Sequence, residues 1–150
     1  MNRRSILVLC GAVAMLSLSA AASAADCLPQ VRDGWIRLTP GGMQMMLAGF
    51  GRIVNTCPLP VSITGARSAE FADVSLHRTS LVDGISRMRP VPQLPIPKNG
   101  VAVFEPGALH LMLMQPGKPL KAGDHVEIDF RLQDGRDFRG DFVVRAANGQ

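Results

Sequence analysis

Tyrosine is absent from this 150-residue chain, tryptophan occurs once, and aromatic residues of all kinds make up 5 % of it. No basic stripe interleaved with aromatics is present, so nothing in the sequence supports nucleic-acid binding. Charged residues are sparse, at 19 %, against 47 % hydrophobic, which excludes a disordered chain. There is no Gly-rich phosphate loop and no C-x-x-C pair, so P-loop machines are excluded, and the length leaves no room for a large multidomain enzyme. Outside the first residues, no apolar stretch is long enough to cross a bilayer. Breakers are plentiful instead: 15 glycines and 11 prolines are too many for a helical bundle, and 150 residues suit one compact domain.

The N-terminus has the plan of an export signal. Asn2-Arg3-Arg4 supplies a positive start, Ile6 to Leu16 an apolar run, and Ala22-Ser23-Ala24 a small-x-small cleavage site. Residues 1–24 are therefore expected to be a signal peptide, cleaved after Ala24, leaving a mature domain of residues 25–150 with no transmembrane segment and a periplasmic destination. Lipidation at Cys10 fits poorly, because Leu9 precedes it where a small residue is needed and it lies early in the apolar run. Arg3 and Arg4 leave with the signal, so 14 basic residues face 12 acidic ones and the mature charge is +2 rather than +4.

Of three cysteines, Cys27 and Cys57 survive processing. Two cysteines in an exported protein are expected to pair. Closing a loop of about 30 residues contributes roughly 3–4 kcal/mol in the chain-entropy treatment. A thiolate metal site is the weaker alternative, since this spacing does not supply two ligands from one local loop.

The remainder reads as strands. Val126, Ile128, Phe130 and Leu132 alternate with Glu127, Asp129 and Arg131, and Asp134-Gly135-Arg136 turns the chain into a second strand over 138–144. Further strands are expected near 35–38, 47–54, 61–64, 74–79, 101–104 and 109–114, with turns at Pro40-Gly41-Gly42, Asn99-Gly100, Pro106-Gly107 and Pro116-Gly117. Many short strands at this spacing predict an all-β antiparallel sandwich or barrel. Four prolines over 90–97 exclude a central strand there and leave an extended edge or a loop.

The chemistry-bearing residues are histidine and methionine. In 109–114 the leucines take one face, and His110, Met112 and Met114 the other; Ser75 and His77 likewise oppose Val74 and Leu76. A strand face that offers imidazole together with thioether presents soft ligands. His77, Met88, His110 and Met112 form an H-x10-M-x21-H-x-M spacing that resembles the copper motif of the periplasmic copper chaperones called the PCu(A)C family. The similarity extends to Asp83-Gly84-Ile85-Ser86-Arg87-Met88-Arg89-Pro90-Val91, to Gly107 through Met114, to Pro119-Leu120-Lys121-Ala122-Gly123-Asp124 and to Trp35 through Pro40. It departs at the Met-rich 43–46 and at Ile85-Ser86. The resemblance implies a cupredoxin-like antiparallel β-sandwich with a single Cu(I) site at His77, Met88, His110 and Met112. Residues 147–150 carry none of the His/Met-rich tail that some relatives use for a second copper.

Thioethers suit that cargo. Cu(I) is soft, methionine cannot be oxidised to a disulfide, and no thioether need lose a proton to bind. Zn(II) prefers nitrogen, thiolate or carboxylate, and a blue-copper site would require a cysteine ligand, which no motif position supplies. The resemblance therefore implies a non-enzymatic periplasmic Cu(I) chaperone whose partner is a copper-accepting protein, such as the cytochrome oxidase subunit that holds the binuclear copper centre. The alternatives are copper storage or tolerance, or a metal-free β-sandwich interaction module in which the methionines merely pack. Met114, on the His110 face, ranks as a rim position, Met43 and Met45, on one strand face, as packing or a weak accessory patch, His125 as a surface residue, and Arg87 and Arg89 as a solvated edge or as steering charges for an acidic partner.

Overall fold

The computed structural model describes residues 27–39 and 44–147. The expected signal peptide, its cleavage point, the Pro40-Gly41-Gly42 turn and Met43 lie outside the described residues. Ten strands follow in chain order: β1 (Gln30–Arg37), β2 (Met46–Val54), β3 (Val61–Arg67), β4 (Phe71–Val82), β5 (Ile85–Pro90), β6 (Leu94–Ile96), β7 (Val101–Phe104), β8 (Leu109–Pro116), β9 (His125–Leu132) and β10 (Asp137–Arg145). Among the described residues no helix is long and apolar enough to cross a membrane.

The strands pair in the order β5-β4-β8-β2-β1-β10-β9-β3-β6, and β3 also pairs with β4 through Ala66 and Val74. That extra pairing joins the two layers of the cupredoxin-like sandwich into a closed, barrel-like ring of seven strands, β4 through β3 in that order. The expected antiparallel arrangement needs one correction: β1 and β10 run parallel, with Trp35 opposite Val143 and Arg37 opposite Arg145. Parallel neighbours need a long connection, and nearly the whole domain lies between these two. The proline-rich segment forms the short strand β6 at one end of the order, in keeping with its exclusion from the centre.

Alternation positions the core. β9 shows strict in-out burial, with Val126, Ile128, Phe130 and Leu132 inside. From β8 the three leucines enter the same core, and each fully buried leucine contributes roughly 2–3 kcal/mol. Phe130 stacks on Phe138 at 5.1 Å and meets Phe142 at 6.3 Å. Asn55, wholly buried, ties the end of β2 to this framework: its amide donates to the carbonyls of Leu59, Ile96 and Pro97, and its oxygen accepts from the Cys57 N–H. Cys27 and Cys57 are joined by a disulfide across 30 residues, with Cα atoms 5.6 Å apart.

β5 is absent from the strands that the sequence predicts. Every one of its residues is exposed, so no apolar alternation marks it. It forms because Asp83 and Gly84 both take positive φ, 52° and 74°, which closes a two-residue hairpin turn. Val82 then faces Ile85, and the ladder runs to His77 opposite Pro90. β5 pairs only with β4 and forms one free edge of the sheet.

Candidate metal centre

Three strands build the site on the outer face. β4 and β8 are antiparallel neighbours in a register that sets His77 directly opposite His110, Ser75 opposite Met112 and Leu76 opposite Leu111. The two imidazole centroids lie 6.2 Å apart. On the other side of β4, Met88 of β5 faces Thr79, two residues beyond His77 on the same face. Met88, His110 and Met112 line one cleft of about 270 Å³ together with Thr79, Arg37 and Phe50. His77 does not line that cleft; it stands beside it, next to His110 in the sheet.

His110 is the unexpected case. It faces away from the leucine core yet is only 5 % exposed, because it lies on the cleft with residues of β1, β2 and the Pro106-Gly107 turn around it. Ring contacts support that wall: Trp35 meets Phe50 at 4.7 Å, the Arg37 guanidinium lies 5.1 Å from the Phe50 ring centre, and Arg145 lies 5.5 Å from that of Trp35. Both guanidinium groups are within range of attraction by the ring face. Met88 is 51 % exposed and Met112 half-buried, so the thioethers differ in access.

The hydrogen bonds decide which ring nitrogens are free. His110 Nδ1 lies 2.9 Å from the Ala108 carbonyl oxygen, which can only accept, so Nδ1 carries the proton and the Nε2 lone pair is available. His77 Nε2 lies 3.3 Å from Ser75 Oγ. The Ser75 hydroxyl donates to Asp73 Oδ2 at 3.3 Å, so its oxygen accepts from His77 Nε2–H, and Nδ1 of His77 is free. Each imidazole thus has one nitrogen tied to the protein and one lone pair to offer, as metal-ligating histidines do. Burial, more than the neighbouring His110, pushes the His77 pKa below its usual 6.5, while Asp73 opposes that shift. At neutral pH the ring is held uncharged.

Among the described residues there is no group of three or more His, Cys, Asp and Glu side chains placed to hold a metal ion. The donors that the cleft and its border offer instead are imidazole nitrogen and thioether sulfur. Hard ions and zinc are poorly served by two imidazoles and two thioethers, whereas Cu(I) is well served. Ser75 is the residue that sequence reasoning passes over: its place two residues before His77 on the same strand face is visible there, its bridge to Asp73 is not.

The accessory positions fall elsewhere. Met114 does not line the cleft, although it lies opposite Met46, which does, and opposite Asp73; Met45 lies just before β2 and is 53 % exposed, and its expected strand face shared with Met43 lies outside the described residues. His125 is exposed on β9, with Nδ1 2.8 Å from Asp141. A second cleft of about 280 Å³ lies against the disulfide, and neither histidine nor methionine lines it.

Residues 29–144 match the family described as "Putative lipoprotein LpqE-like". The chain is 31 % identical over 107 residues to "Putative lipoprotein Lxx21020" of Leifsonia xyli subsp. xyli, an alignment that covers 71 % of this chain and 63 % of that protein. The chain thus spans less than two thirds of the length of the curated relative it matches. Among solved structures it resembles the Cu(I) form of DR1885 from Deinococcus radiodurans, with 26 % identity, a TM-score of 0.61, and coverage of 84 % of this chain and 85 % of that one. The copper-bound PCuAC domain of PmoF2 shares the fold at 19 % identity, with a TM-score of 0.62 and coverage of 79 % and 92 %.

Proposed function

From the premise that the chain belongs to the LpqE-like family, a PCuAC family, we propose that it is a non-enzymatic carrier of Cu(I) that binds one ion through His77, Met88, His110 and Met112. One observation carries the reading: two histidines paired across adjacent strands, each with a free ring nitrogen, stand on one outer face with two methionines at their flanks. The solved Cu(I) form of the D. radiodurans relative supports the choice of ion. All four donors are neutral, so the bound ion keeps its charge and is held less permanently than by thiolates. That suits a cargo to be handed on, with the binuclear copper centre of a respiratory oxidase as the acceptor. The disulfide, the N-terminal pattern and the lipoprotein names of the relatives support export to the periplasm.

Anaerobic Cu(I) titration against a competing chelator, read with X-ray absorption, tests the assignment. The mature chain should bind one ion with two sulfur and two nitrogen neighbours. Met88→Leu and Met112→Leu nearly conserve volume, so both should fold and both should bind copper far more weakly. Unchanged affinity in the two variants would remove the four-ligand site.

A further inference from the structure

Met88 sits in the part of the molecule where arginine behaves differently from everywhere else. Eight described arginines are engaged: Arg52, Arg67, Arg131, Arg136 and Arg139 with carboxylates, Arg32 with Gln30, Arg37 and Arg145 with aromatic rings. Arg78, Arg87 and Arg89 have no partner among the described residues, and all three are exposed on the β4–β5 hairpin. The ladder sets Arg78 directly opposite Arg89 and Ser80 opposite Arg87, so the three guanidinium groups share one face. Like charges directly opposite one another destabilise a strand pair, so the cluster works against the hairpin that carries it. The tip adds exposed apolar surface, with Leu81 77 %, Ile85 58 % and Val82 40 % exposed.

On the carrier reading above, on which this inference rests, we propose that the β4–β5 hairpin is a docking arm for an acidic protein surface that surrounds the copper site of the acceptor. Arg87 and Arg89 flank Met88 along β5, one residue to each side, or about 3.4 Å of strand rise. Alternation puts them on the opposite face of the strand from Met88. β5 is a free edge of the sheet, so a partner that abuts it reaches both faces at once. Carboxylates engaged by the arginines on one side therefore bring the partner's own ligand to the exposed thioether on the other. The apolar tip supplies the contact that charge alone does not. Asp83 occupies the turn at the leading end of the hairpin, where a carboxylate would meet the phosphates of an anionic bilayer head-on; this favours a protein over a membrane as the occupant. Clustered charge of one sign accelerates encounter with an opposite patch, by an amount that falls as salt is added.

The test is Cu(I) transfer from the mature chain to the apo, soluble binuclear-copper domain of the oxidase from its own organism, followed by stopped flow from low to high salt. The same comparison is made for the triple variant Arg78→Gln, Arg87→Gln, Arg89→Gln. Both chains are first titrated with Cu(I), and binding to vesicles of phosphatidylethanolamine and phosphatidylglycerol is measured in parallel. The expected result is equal Cu(I) affinity, no vesicle binding, and a wild-type transfer rate that is on the order of 10-fold faster than the variant's at low salt and converges with it at high salt. Equal rates with equal salt dependence would overturn the proposal, as would vesicle binding that the variant loses, or an acceptor that takes copper from neither chain. A wild-type chain that binds no Cu(I) would instead refute the carrier reading itself, at the titration and before any transfer is measured.

Discussion

Replacing Ser75 by alanine should weaken Cu(I) binding several-fold to about ten-fold and leave the fold intact. Ser75 is half-buried and lies across the β4–β8 ladder from Met112, but of the positions proposed to hold copper it hydrogen-bonds only to His77, and it joins that ring to Asp73 through two contacts of 3.3 Å. A neutral hydrogen bond contributes about 0.5–1.5 kcal/mol net, and at this length a value of about 1 kcal/mol is appropriate. Without it the imidazole is free to turn and to carry its proton on Nδ1, the nitrogen that must stay bare to bind. Loss of such an outer partner typically weakens metal binding about 10–100-fold, and the long bond places Ser75 at the lower end. The assay is competition titration of Cu(I) in four chains: wild type, Ser75→Ala, His77→Ala and the double variant. Ser75 acts through His77, so its effect should vanish in the His77→Ala background. An equal loss in both backgrounds, or none in either, would refute the bridge.

Two further outcomes follow from the geometry. Cutting the disulfide by Cys27→Ser with Cys57→Ser should lower stability by about 3–4 kcal/mol, given its 30-residue loop, yet leave Cu(I) affinity unchanged; a denaturant midpoint that hardly moves would show that the loop constrains little. In the metal-free chain the His77 pKa is lowered on folding from its usual 6.5, chiefly by burial, so the unfolded state binds more protons as pH falls below that value. Stability should therefore decline through that range and level off below the folded value, and His77→Gln should flatten the curve measured by chemical denaturation between pH 7.5 and 5. A slope that persists in the variant would assign it to another group.

Strands whose two faces meet different surroundings were legible in advance. β9 and β10 alternate because one side is core and the other water, and β8 because leucine on one side meets histidine and methionine on the other. β5 was not legible: with water on both faces, burial left no pattern, and only its turn and its pairing with β4 make it a strand. The parallel contact of β1 with β10 and the β3–β4 closure join residues far apart in sequence, which local periodicity does not encode. The four proposed ligands could be named from spacing and resemblance. The burial of His110 could not, since Phe50 and Arg37 reach that cleft from two other strands. The Asp73–Ser75–His77 chain shows the same limit in miniature, because an i, i+2 spacing gives a shared face and leaves side-chain direction open.

β4 is twelve residues long and serves two settings: its first part belongs to the closed ring beside β8, and its last part projects with β5 beyond any third strand. On the proposed assignment, His77, His110 and Met112 belong to the ring and Met88 to the projecting limb. Ion choice and dwell time are thereby governed by separate pieces of the chain. The ring donors, fixed by the packing that also fixes the fold, determine which ion is accepted. The limb donor is held by one ladder and one turn, so the stiffness of Asp83-Gly84 sets how readily the fourth bond opens. Substitutions in the limb can retune the speed of delivery over generations while the preference for the ion stays protected by the core.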